Sequence, residues 1–210
     1  MHIYIYRIPE LLPDIEKKIK KLPQNLIKRI LRRKNAQKQT ISFLSYLLLQ
    51  KVMKEEFQSS LEGIKFLASG KPVLDNTNHH FNISHTANII GIAITTKGAI
   101  GIDIQEHREF EKLEASFTFF SKVEQKAILA AELPKRKLVE LWSKKEAFVK
   151  AVGGQMFEMS AQADISSSSS IWSERPYFFY PLNLEFNGYA WLVSSFPVNS
   201  ISTTNKETIF

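Results

Sequence analysis

The chain has 210 residues, 44% hydrophobic and 23% charged, which suffices for one large domain or two small ones sharing a core. It contains no cysteine, so disulfide and thiolate chemistry are excluded, and its longest apolar runs, residues 43–49 and 87–94, fall well short of the roughly 18 needed to span a membrane. Net charge is +7, unevenly placed: residues 1–100 carry +9 and residues 101–210 carry −2. The opening stretch MHIYIYRIPE has neither the charged start nor the cleavage site of a secretory signal, and a cytoplasmic setting is expected.

In chain order, Ile3 and Ile5 alternate with Tyr4 and Tyr6, which predicts a strand. Helical patterns follow over 14–21, 24–33 and 36–57, the last a central helix with Ile41, Leu44, Leu48 and Val52 on one face. No acidic residue occurs from 17 to 54, and ten basic side chains lie between Lys17 and Lys38. Such a run is either a solvated helix face or an anion site. It lacks the aromatic stacking platforms of a nucleic-acid surface, since residues 11–42 contain no Phe, Tyr or Trp.

Gly70 and Pro72 mark a turn into an extended segment. FNIS, IIGIAIT and AIGIDIQ read as strands, the last two joined by a short turn through Lys97 and Gly98. Helices are predicted from Ser121 to Ala131 and from Lys135 to Val152, where Gly153 and Gly154 end the second. The serine run at 166–170 reads as a mobile loop, and YFFY, LEFNG and YAWLVSSF as a β-meander. Strand, helices and strand group thus occur twice, over 1–98 and 99–210, and the fold class is α+β with two related lobes.

Three short stretches carry chemistry. In AIGIDIQ the two-residue period puts Ile100, Ile102 and Ile104 on one face and Gly101, Asp103 and Gln105 on the other, Asp103 and Gln105 roughly 7 Å apart. An aspartate among isoleucines needs a metal, an ion pair or a hydrogen-bond network. In WSKKEAFVK, Trp142, Lys145, Glu146, Val149 and Lys150 share a helix face; as a surface pair Glu146–Lys150 contributes only about 0.3–0.5 kcal/mol. In FNISHT, Ser84 and His85 can donate to phosphate oxygens, but adjacent strand residues point oppositely, so they do not form a proton-transfer dyad.

Together, GKPVL (70–74), FNISHT (81–86), GIDIQ (101–105), FFSKVE (119–124) and WSKKEAFVKAVG (142–153) resemble the signature segments of the Sfp-type 4′-phosphopantetheinyl transferases. The resemblance covers about 130 residues. It implies the 4′-phosphopantetheinyl transferase fold, with two similar α+β lobes related by a pseudo-twofold: a basic lobe, 1–98, for the coenzyme A phosphates and a metal-binding, catalytic lobe, 99–210. The implied reaction moves 4′-phosphopantetheine from coenzyme A to a serine of an apo acyl or peptidyl carrier protein, needs Mg²⁺ and releases 3′,5′-ADP. A monomer is expected, with no nucleic-acid or membrane partner.

By the same resemblance Asp103, Glu146 and Gln105 hold the metal, Gln105 standing where the family commonly has Glu and therefore binding weakly or through water. Lys38, Lys71, Ser84, His85, Asp103 and Lys150 meet the donor, with Lys28 or Arg32 as further phosphate contacts. Glu124, Glu146 and Lys150 serve catalysis. Glu124 has a competing role, because Ser121 and Glu124 also spell a helix capping box. Lys145 is either a second phosphate contact or solvated, and Phe117, Phe119 and Phe120 are either core or carrier contacts. The alternatives are a weak or inactive coenzyme A- or carrier-binding relative and, further off, a basic RNA-binding protein.

Overall fold

The structure is a computed structural model and describes residues 1–8, 15–75, 77–107, 114–159 and 162–206. Strand β1 (His2–Arg7) leads to helices α1 (Ile15–Ile19), α2 (Gln24–Leu31) and α3 (Ala36–Phe57), then to β2 (Ile64–Phe66), β3 (Pro72–Leu74), β4 (His80–His85), β5 (Ile89–Thr95) and β6 (Ile100–Glu106). A 3₁₀ turn (Glu114–Phe119) precedes α4 (Lys122–Leu129), α5 (Pro134–Val152) and α6 (Met156–Met159). The chain closes with β7 (Ser169–Trp172), β8 (Arg175–Pro181), β9 (Gly188–Ser194) and β10 (Ser202–Lys206). No helix among the described residues is long and apolar enough to cross a membrane.

The α+β class is as expected, with two four-stranded sheets ordered β10-β1-β5-β4 and β6-β9-β8-β7 and a small β2-β3 hairpin. Although joined by a short turn, β5 and β6 lie in different sheets: β5 pairs with β1 and β4, and β6 with β9. Both are sandwiched, and every residue of β5 is buried. β10 returns from the second half of the chain to pair parallel with β1, so residues 99–210 do not stay within one sheet. Two expected features are corrected. The end of the serine run is strand β7, fixed by pairing with β8, and LEFN falls in the turn between β8 and β9, with Gly188 opening β9.

The two long helices take their bounds from chemistry legible in the chain. Asn35 caps α3, its side chain accepting from Lys38 N, and Gly153 ends α5 in the left-handed region at φ 82°. Helix α3 lies over one sheet, with Leu44, Leu48, Leu49 and Met53 in a core shared with Tyr4, Phe81, Ile90 and Ile92. Helix α5 packs on the second, where Phe148 meets Tyr177 and Phe179. A third cluster, including Ile3, Ile5, Ala93, Ile102, Ile104 and Leu192, joins the sheets.

Two further contacts position the site. β6 gives its Ile102 and Ile104 N–H groups to the Asn82 Oδ1 and Ser84 Oγ atoms of β4, at 2.9 and 3.1 Å, so side chains stitch one sheet edge to the other. On its other face β6 lies directly under α5, because a Cβ at Gly101 would collide with the Ala147 carbonyl and the Ala151 nitrogen. Gly101→Ala must therefore push helix from strand. We expect it to cost at least the ~1–3 kcal/mol typical of overpacking, read as a lower urea midpoint.

Candidate active site

The site is built where β4, β6 and α5 meet. Asp103 is 2% exposed on β6 beneath α5. Its Oδ1 accepts from Ser84 Oγ at 3.0 Å and from Lys150 Nζ at 2.6 Å. Its Oδ2 is buried and has no hydrogen-bond partner among the described residues. An orphaned carboxylate oxygen in a protein interior is costly and calls for a cation or a donor.

Glu146 comes to the same place from α5, within hydrogen-bonding reach of the Asp103 carboxylate. Its Oε1 accepts from Trp142 Nε1 at 3.0 Å, and its Oε2 lies 3.8 Å from Lys150 Nζ. Burial and the neighbouring Asp103 carboxylate push the Glu146 pKa up, against the pull of Lys150 and the Trp142 indole. For Lys150 burial acts downward, but the two carboxylates outweigh it and raise its pKa above the ordinary value. The ammonium also reaches Ser84 Oγ at 3.2 Å and Ile102 O at 3.4 Å. Lys150 thus stands between two acids that would otherwise repel each other.

The remaining residues are placed as follows. His85 sits beside this cluster, its pKa lowered by burial and then by Lys150 and Arg33, which keeps the imidazole neutral at neutral pH. Arg33 was missed by sequence reasoning; its signal was the RRK triplet in the acid-free run. Ser84, expected at a phosphate, has its single proton on Asp103 while accepting from Ile104 N and Lys150, so the geometry makes it a support for the carboxylate.

Lys71 donates to the Ala151 and Ile100 carbonyls at 2.9 and 3.4 Å, tying the β2-β3 hairpin to the C-terminal end of α5. Lys38 is exposed in the first turn of α3, and none of its described contacts reaches the Asp103 cluster. Gln105 is half-buried on β6, two residues beyond Asp103. Lys28 and Arg32 line a cleft of about 500 Å³ with Asn25, Arg29, Lys65 and Phe66, in which the Arg29 guanidinium stacks 4.0 Å above the Phe66 ring.

Lys145 is neither a surface phosphate contact nor solvated. It is 0% exposed and donates at 2.6 Å to Glu124, which is also 0% exposed. The capping box is formed, Ser121 N donating to Glu124 Oε2 and Glu124 N to Ser121 Oγ, and Glu124 Oε1 accepts from Ile165 N. Of the two roles open to Glu124, the structure displays the cap. Both oxygens of this carboxylate are engaged in the interior. Phe120 is core, and Phe119 packs edge-on against Trp142 with centroids 5.2 Å apart.

Next to Lys145, Lys144 is buried against the Phe179 and Trp191 rings and donates to Ser167 O. Burial brings the pKa of both Lys71 and Lys144 down to about 8. These values lie below the ordinary lysine value near 10.4, so from about pH 8 upward the unfolded chain holds more protons than the folded one. Stability therefore rises with pH in that range. Melting temperatures should climb between pH 8 and 9.5, and Lys144→Met should make the climb shallower.

A buried aspartate, a helix-borne glutamate and a lysine thus meet beside a neutral imidazole. Residues 99–199 match the family described as the 4′-phosphopantetheinyl transferase superfamily. The chain is 27% identical over 129 residues to the 4′-phosphopantetheinyl transferase AcpT of Salmonella typhi, covering 59% of this chain and 67% of that protein. It is 32% identical over 117 residues to the 4′-phosphopantetheinyl transferase psf-1 of Bacillus pumilus, covering 53% and 49%, and 31% identical over 119 residues to gsp of Aneurinibacillus migulanus, covering 55% and 49%. The match thus spans about two thirds of the first relative and about half of the other two. Over about half of its length the chain is thus similar to the 4′-phosphopantetheinyl transferase superfamily and to proteins named 4′-phosphopantetheinyl transferases.

Proposed function

We propose that this chain transfers 4′-phosphopantetheine from coenzyme A to a serine of an apo acyl or peptidyl carrier protein, with Mg²⁺, releasing 3′,5′-ADP. The observation that carries the reading is the meeting of Asp103, Glu146 and Lys150 around an Asp103 oxygen that has no partner among the described residues. In the reaction the carrier serine oxygen forms a bond to the β-phosphorus of coenzyme A, the bond to the bridging oxygen breaks and the serine proton is released. Negative charge grows on the diphosphate oxygens, and fixed cations placed there beforehand lower the barrier.

Asp103 and Glu146 would hold the magnesium, which when bound neutralises diphosphate charge. The donor set fits: Mg²⁺ takes oxygen ligands and commonly needs only one or two protein carboxylates. Among the described residues no group of three or more His, Cys, Asp and Glu gathers, so the other ligands would be phosphate oxygens, water and Gln105, through its carbonyl oxygen or a water. Lys150 supplies positive charge to the diphosphate. Lys71 and Lys150 touch β6 carbonyls two residues apart, which sets those contacts roughly 7 Å apart along one edge, where His85 adds a neutral donor. Lys38, Lys28 and Arg32 supply the more distant phosphate contacts.

Each half of the chain carries one long helix and most of one sheet, which supports two similar lobes, 1–98 and 99–210, related by a pseudo-twofold. A cytoplasmic monomer is part of the same reading. The test is to mix the protein with apo acyl carrier protein, coenzyme A and Mg²⁺ and to follow the carrier's mass: one phosphopantetheine addition is expected, and an unchanged mass contradicts the reading. Gln105, a neutral amide two residues from Asp103, favours a second reading as a binder without turnover. Such a protein would bind coenzyme A and leave the carrier unmodified.

A further inference from the structure

We infer that Ser84 and Trp142 are a matched pair of positioning residues, each occupying one oxygen of a site carboxylate so that the other oxygen is turned toward a shared divalent cation. The inference rests on the magnesium-dependent reading above. Its basis is a symmetry in the hydrogen bonding. Asp103 Oδ1 accepts from Ser84 and Lys150, while Oδ2 is left buried and without a partner among the described residues. Glu146 Oε1 accepts from the Trp142 indole, while Oε2 lies 3.8 Å from Lys150 Nζ, beside the Asp103 carboxylate. Neither donor is itself a metal ligand, since an indole N–H has no lone pair to give and the Ser84 oxygen already accepts from Ile104 N and Lys150.

Each positioning group is held in turn. Ser84 is buried on β4 and fixed to the β6 backbone by the Ile104 N–H, so its hydroxyl cannot swing away from Asp103 without stranding that group. Trp142 is braced by Phe119 edge-on and by Phe120 at 6.3 Å, and stands one helical turn before Glu146, so its N–H meets that side chain within the same helix face. A carboxylate on a helix surface samples several rotamers, and pinning one oxygen removes that freedom before the cation arrives. Outer-shell donors of this kind commonly change metal affinity or activity by about 10–100-fold when removed.

The test uses the full chain as wild type, Ser84→Ala, Ser84→Thr and Trp142→Phe. Mg²⁺ binding is measured by calorimetry with coenzyme A at saturation, and the Mg²⁺ dependence of carrier modification beside it. Ser84→Ala and Trp142→Phe should each raise the half-saturating Mg²⁺ concentration by about 10-fold or more, with most of the turnover rate recovered at high Mg²⁺. Ser84→Thr, which keeps the hydroxyl, should stay near wild type. A merely structural role would lower the melting temperature and leave the Mg²⁺ affinity of the folded protein unchanged, and that result in both variants overturns the inference. Should Ser84→Ala fail to fold because the Ile104 N–H is stranded, Trp142→Phe decides alone, since its indole makes no described bond to backbone. A wild type that binds no divalent cation with coenzyme A overturns the transferase reading and this inference with it; wild-type binding matched by both variants overturns the positioning alone.

Discussion

Replacing Asp103 or Glu146 by alanine is expected to reduce carrier modification by at least about 100-fold in kcat/KM, comparable to deleting an electrostatic contact made in the transition state. Both side chains end in the same place, and Lys150 Nζ lies 2.6 Å from one and 3.8 Å from the other. Removing either acid leaves a single carboxylate and weakens the contacts that hold Lys150. The fold should survive differently in the two variants. Glu146 is one-third exposed, and its removal relieves a like-charge contact, so Glu146→Ala should melt near wild type. Asp103 is buried, and its loss leaves the Ser84 hydroxyl and Lys150 without their main acceptor, so a lower melting temperature is expected there. Full activity in both variants would remove the metal assignment.

The second large effect concerns stability. Glu124→Gln leaves Lys145, which has no exposed surface, with a neutral amide in place of its counter-charge. Breaking a buried ion pair by removing one partner typically costs about 3–5 kcal/mol. The change should also weaken the capping box and the bond from Ile165 N that tethers the segment before β7 to α4. A denaturant midpoint shifted by that amount, with turnover near normal at a temperature where the variant is folded, establishes the structural role. Slow turnover at an unchanged midpoint would instead restore Glu124 as a base. Lys145→Met, which removes the buried charge and its partner contact together, should expose the uncompensated Glu124 and destabilise comparably.

Much of this architecture was legible because it depends on local chemistry. The extent of α3 follows from its apolar spacing, and the end of α5 from Gly153. The Ile100, Ile102 and Ile104 alternation told that Asp103 would face away from the inter-sheet core, and it does. The pairing of distant partners was not legible. The turn at Lys97 and Gly98 looks like a hairpin, yet β5 and β6 join different sheets because β1 and β9 claim their edges, and the direct link between β4 and β6 is made by the Asn82 and Ser84 side chains instead.

Lys145 shows the same limit on a helix. It precedes Glu146 by one residue, about 100° around the axis, so a face drawn through Trp142 and Lys150 can include or exclude it. Only the position of Glu124, 21 residues earlier, decides that it turns inward. Ser84 and Trp142 were visible as residues but not as supports, because their roles depend on which carboxylate oxygen each one meets.

The most direct measurement is a crystal structure of the chain with coenzyme A, using Mn²⁺ as an anomalous substitute for Mg²⁺. One cation bound jointly by Asp103 Oδ2, a Glu146 oxygen and the diphosphate is the predicted result. Density for the donor with the two carboxylates facing separate surfaces, and no cation common to them, would contradict the account.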